Sequence, residues 1–176
     1  MMDDPLHYEN SNAPVFTVGA EAEVRRDFKQ GWMVAASYSL QTSRYLASSS
    51  LGDIVSFTQH PAYRKVPNAP LQLASLRGAA PILARALLAT TRLSFEGPRF
   101  DRHDQVSDPL PQDKTGAGVI WDLVLSGEDA RFGLRYAVGV YNVFDWRYSV
   151  PVSNEFKQNT IVQNGRTFLA SVSVSF

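Results

Sequence analysis

The chain has no cysteine among its 176 residues, which excludes disulfide frameworks and thiolate metal sites and leaves the redox compartment open. It has no surplus of either charge, since 17 Lys and Arg balance 17 Asp and Glu. No basic run is interleaved with aromatics, so nothing favours a nucleic acid. Long hydrophobic runs are missing as well, and no stretch approaches the roughly 20 apolar residues of a transmembrane helix. The opening MMDDPLHYENSNAP is polar and acidic, without the basic region and apolar core of a secretory signal. His7, His60 and His103 lie on separate segments without the spacing of a zinc site. There is no P-loop, G-x-G-x-x-G or nucleophile-elbow motif, and the serines fall largely on the polar phase of strands. The reading is therefore of a protein that is not an enzyme and uses no metal or cofactor.

What the sequence does have is alternation. VFTVGAEAEVRR (15–26) puts Phe16, Val18, Ala20, Ala22 and Val24 on one face and Glu21, Glu23 and Arg25 on the other. After the polar turn DFKQG, WMVAASYSLQTSR (32–44) repeats the pattern with Trp32, Val34, Ala36, Tyr38 and Leu40, and the pair reads as a hairpin. Further strands are predicted at 71–80, 85–95, 115–126 and 131–145, with tight turns around 81–84 and 127–130. The chain closes on RTFLASVSVSF (166–176), where Phe168, Ala170, Val172, Val174 and Phe176 share one phase. No segment has a helical period, so the class is all β.

Two regularities narrow the class. Short turns alternate with long Pro-bearing stretches at 45–70, 97–114 and 146–165, as they do in up-and-down membrane barrels. Charges inside strands fall opposite the apolar face: Glu21, Glu23, Arg92, Asp122 and Arg135 obey this, and Arg77 does if Ala74 and Leu76 point outward. The strands are also long, about 10 to 13 residues, where a tilted bilayer-spanning strand needs roughly 9 to 11. Aromatics sit toward the ends of the apolar face, with Trp32 and Phe132 by short turns and Phe95, Phe144 and Phe168 by long loops. The expected fold is an antiparallel up-and-down transmembrane β-barrel segment of about seven strands, an incomplete barrel, since bacterial barrels have at least eight. Residues 1–14 are expected to be the remnant of an extracellular loop and 15–176 the barrel part. The alternatives are a small stand-alone or oligomeric barrel with a binding or adhesion role, and a soluble β-sandwich or lipocalin-like barrel with its apolar faces inward.

Several stretches resemble a known family. YNVFDWRY (141–148) is similar to the N-[LIV]-F-D-x-x-Y segment near the end of TonB-dependent outer-membrane receptors. GRTFLASVSVSF resembles their G-R-x-F ending, VGAEAEVRRDFKQGWMVAASYSLQ their G-x-E-x-E strand and its hairpin mate, and NAPLQLASLRGAAPI their N-x-P-x-H-x-x-x-L-R strand, with Gln72 where the family often has His. Phe168, Val172, Val174 and Phe176 also resemble the terminal signal read by the barrel assembly machinery.

The resemblance implies a place in the outer membrane of a Gram-negative bacterium. It implies a share in importing a scarce nutrient such as a ferric siderophore, haem or cobalamin. The family's barrels have 22 strands around a plug that couples to TonB, so this chain corresponds to the last third or so. Its expected partners are outer-membrane lipid, the assembly machinery through the last strand, and a ferric chelate or similar nutrient in the full receptor. TonB would be met only through a plug that this sequence lacks. Ligand contact is expected from the long loops, with Arg99, Arg102, His103, Tyr148 and Lys157 available to an anionic chelate.

Overall fold

The structure is a computed structural model and describes residues 14–46, 52, 65–83, 86–100, 114–152 and 156–175. Among these residues the chain forms nine strands: β1 Val15–Asp27, β2 Met33–Tyr45, β3 Gln72–Ile82, β4 Leu87–Glu96, β5 Gly118–Asp129, β6 Leu134–Tyr141, β7 Ser149–Pro151, β8 Thr160–Val162 and β9 Thr167–Val174. Seven of them build one antiparallel sheet in the order β1-β2-β3-β4-β5-β6-β9, so β1 and β9 are its edges and the sheet is not closed. The strands follow one another up and down. One end of the sheet carries the short turns at 28–32, 83–86 and 130–133; the other carries the long connections 46–71, 97–117 and 142–166.

The register explains why the alternation in sequence becomes two different faces. Val24, Ala36, Leu76, Leu93 and Trp121 lie side by side across β1 to β5, and Leu125, Val138 and Ala170 continue the band across β5, β6 and β9. On the opposite face Arg25, Ala35, Arg77, Arg92 and Asp122 form a matching row. Opposed residues in an antiparallel pair share a face, so the ambiguous strand is settled: Ala74 and Leu76 join the apolar side and Arg77 the polar side.

No second layer covers the apolar side among the described residues. Among them few apolar side chains are buried, Ala35, Leu46, Pro70 and Pro151, while Val24, Val138, Phe168 and Val172 are 72%, 57%, 70% and 72% exposed. A soluble sandwich would lay a second sheet about 10 Å away over such a face. The described residues offer only the β7–β8 ribbon, of three residues a strand.

Several boundaries differ from the sequence expectation, each for a local reason. β3 continues through Pro81 to Ile82 instead of turning there. Its bonds on that residue's side belong to β2, which starts only at Met33, opposite Ala79, so the missing Pro81 N–H leaves no ladder bond unmade. β5 runs on to Asp129, moving the turn to 130–133. There Gly133 takes φ 59°, and an added Cβ would overlap the Ser175 carbonyl oxygen, so this glycine serves the turn and not a strand face. β6 stops at Tyr141, short of residue 145, because Asn142 leaves extended space with φ 54°.

Candidate functional site

The long-connection end of the sheet is where the chain gathers polar side chains, and two knots of hydrogen bonds hold it. The first is built on Asn142, which is only 4% exposed. Its Nδ2 donates to the carbonyls of Trp146 (2.9 Å) and Asn164 (3.3 Å), while its Oδ1 accepts the Trp146 N–H at 2.9 Å. Its own N–H donates to Asp122 Oδ1 (3.0 Å), tying the knot to the polar face. Asp145, also left-handed at φ 54°, accepts the Arg166 N–H at 2.8 Å. A Cβ on Gly165 would overlap Asp145 Oδ1, so a larger residue there would push the Asp145 side chain off its bond to the Arg166 N–H. Arg166 Nε returns to the Val143 carbonyl at 3.0 Å. The residues of YNVFDWRY and the following G-R thus clamp the start of the third connection to its end.

The second knot is built on Arg99. Its Nε pairs with Glu96, and its Nη1 donates to the Asn68 carbonyl (3.1 Å) and Asn68 Oδ1 (2.6 Å). The Arg99 and Thr115 backbones bond to each other, with Thr115 N–H to Arg99 O at 2.9 Å. Beside it, Phe100 lies between two cations, Lys65 Nζ at 4.3 Å and Lys114 Nζ at 5.0 Å from its ring centre. Burial, then the charges of Arg44 and Lys114, hold the Lys65 ammonium below the ordinary lysine range.

Between the knots is an open depression of about 430 Å³, lined by Lys114 and Thr115 on one side and by Trp146, Arg147, Tyr148 and Thr160 on the other. It offers two cations, two aromatic rings and hydroxyls, a set suited to a polar or anionic ring-bearing ligand. On the polar sheet face a smaller depression of about 300 Å³ is lined by residues including Arg77, Arg92, Asp122 and Tyr141. There Arg77 pairs with Glu23 (3.0 Å) across the width of β2, and Arg92 with Asp122 (2.8 Å). Asp122 is 6% exposed, yet both its oxygens are used, by Arg92 and by the Asn142 N–H. Among the described residues no cluster of three His, Asp or Glu side chains suits a metal ion.

The candidates from sequence fall as follows. Tyr148 lines the larger depression. Arg99 joins it indirectly, through Thr115, and its own guanidinium is spent on Glu96 and Asn68. Lys157 is exposed between β7 and β8, on a connection that the sequence gives as plain loop and that contains this ribbon. Phe168, Val172 and Val174 stand on the apolar face of β9. Arg102, His103 and Phe176 lie outside the described residues. Sequence reasoning passed over Lys65, Phe100, Lys114, Trp146 and Arg147. The cations flank a ring far away in sequence, and a pairing across separate connections leaves no periodic trace. No known protein family, curated protein or solved structure matches the chain.

Proposed function

We propose that this chain is a wall segment of an outer-membrane barrel of the TonB-dependent receptor type, taking part in the import of a scarce, bulky nutrient such as a ferric siderophore, haem or cobalamin. The observation that carries the reading is the continuous apolar face, uncovered among the described residues from β1 to β9, backed by a face bearing Glu23, Arg77, Arg92 and Asp122. In water such a face is a liability; against hydrocarbon it is the ordinary exterior of a barrel. The receptor part rests on the YNVFDWRY and G-R-T-F motifs, whose residues form a fastener at the long-connection end. In this reading the polar face looks into the lumen, and Lys114, Arg147 and Tyr148 stand where a ligand would arrive from outside. The chain binds and encloses; it does no chemistry.

The test is refolding with and without an amphiphile. The purified chain is expected to gain its β-structure circular dichroism in detergent micelles or lipid vesicles and to aggregate when they are withheld. A monomeric, folded chain in plain buffer would defeat the reading.

A further inference from the structure

Arg77 and Arg92 stand directly opposite each other across β3 and β4, on the polar face. Like charges in that position repel, so each needs a counter-charge of its own. The chain supplies one on each flank. Arg77 Nη2 reaches past buried Ala35 and across β2 to Glu23 Oε1 at 3.0 Å. Arg92 turns the other way and gives Nε (3.2 Å) and Nη2 (2.8 Å) to one oxygen of Asp122 on β5. The two guanidinium groups are thus drawn to opposite sides, and the depression of about 300 Å³ is lined by both. Tyr141 on β6 forms its far wall. A Cβ on Gly139 would come within 2.9 Å of Tyr141 Cε2 and 3.2 Å of Val124 Cγ2, so glycine there leaves room for the ring to lie against the sheet.

Donors outnumber acceptors at this place. Arg77 Nε is buried and has no hydrogen-bond partner among the described residues. Nor do the Nη1 groups of the two arginines or the Tyr141 hydroxyl make a hydrogen bond among those residues. Asp122 carries the one carboxylate among the lining side chains, and its two oxygens are taken by Arg92 and by the Asn142 N–H. The Thr90 hydroxyl is turned to the Val124 carbonyl at 3.5 Å. A buried donor without an acceptor is a cost that a bound acceptor removes.

We propose that this depression is a binding site for one carboxylate group, held by Arg77 and Arg92 with the Tyr141 hydroxyl as a further donor. The fork of an arginine matches the two oxygens of a carboxylate, which a simple halide cannot reproduce. A volume of about 300 Å³ is at the small end of ligand sites and suits a small organic acid or a single acidic side chain, not a bulky chelate. The site is therefore distinct from the depression at the long-connection end. The polar face carries these residues whichever solvent meets the other face, so the inference does not rest on the membrane reading.

The test is NMR of the full chain carrying isotopically labelled arginine, in whichever medium, micelle or buffer, holds it folded. The Nε–H signals of Arg77 and Arg92, assigned with R77K and R92K, are followed during titration with sodium succinate and, separately, with a capped Gly-Asp-Gly peptide. Sodium chloride serves as the ionic-strength control. Saturating shifts at millimolar carboxylate are expected at Arg77 and Arg92. They are not expected at Arg25 or Arg135, which lie on the same face beside Asp27 and Glu128. Y141F, which keeps the ring, and R77Q are each expected to weaken binding by about tenfold, the worth of one hydrogen bond to a charged group. Both should leave the β-structure circular dichroism unchanged. Tighter binding of the peptide would support an acidic side chain of another segment as occupant, and tighter binding of succinate a small organic acid. Equal shifts at all the arginines, the same shifts with chloride, or undiminished binding by both variants would overturn the proposal.

Discussion

Asn142 shows how much a single side chain can carry when the backbone turns. It sits left-handed at φ 54°, a region that asparagine tolerates better than most residues. Its amide also satisfies groups that the end of β6 would leave bare. Asn142→Ala removes three bonds at a nearly buried site and adds backbone strain, so a loss of about 2–4 kcal/mol is expected, by urea unfolding in detergent. Asn142→Gly relieves the strain without restoring the bonds and should lose less. If alanine and glycine lose nothing, the knot holds no free energy. The sequence marks this residue only as part of a motif. Its burial and its partner Asn164 depend on the return of the chain 22 residues later, which no local pattern records.

At the scale of the strand, legibility followed period and length. The sheet strands of eight to thirteen residues each repeat the two-residue period several times, and all seven are readable. The three-residue strands β7 and β8 complete barely one period and read as loop. Strand ends blur where turn residues are polar but still pair, as Glu128 does with Arg135 in β5 and β6. The two-residue period also supplies the sharpest test of the faces. Val138, 57% exposed between Leu125 and Ala170, lies on the apolar side; Ala137 lies between Ser126 and Ser171 on the polar side. With the lipid on the apolar side, Val138→Arg is expected to cost about 2–4 kcal/mol near the middle of a membrane strand. Ala137→Arg should cost much less, as read from the unfolding free energies of the two variants in lipid vesicles. Equal costs would mean that the two faces do not meet different solvents.

At the scale of the whole molecule the question is what replaces a core. A chain of this length could bury a large apolar interior, yet among the described residues the buried apolar side chains are Ala35, Leu46, Pro70 and Pro151. The ladder of one continuous sheet satisfies the backbone within it, and among the described residues the apolar band stays open, which in the proposed reading is where lipid takes the place of a core. That makes solvent contact a property of position on the sheet, which the three tryptophans can report separately. Trp121 stands on the apolar band beside Leu93, and Trp32, 51% exposed, lies at its short-turn margin. Trp146, 45% exposed, belongs to the depression at the long-connection end. In single-tryptophan variants reconstituted in vesicles, brominated lipid is expected to quench Trp32 and Trp121, while aqueous iodide quenches Trp146. Iodide quenching of all three would show that water covers the apolar band, and the barrel-wall reading would fall with it. Lipid quenching of Trp32 and Trp121 alone would place hydrocarbon on one side of the sheet and leave the Arg77, Arg92 and Asp122 row for the other.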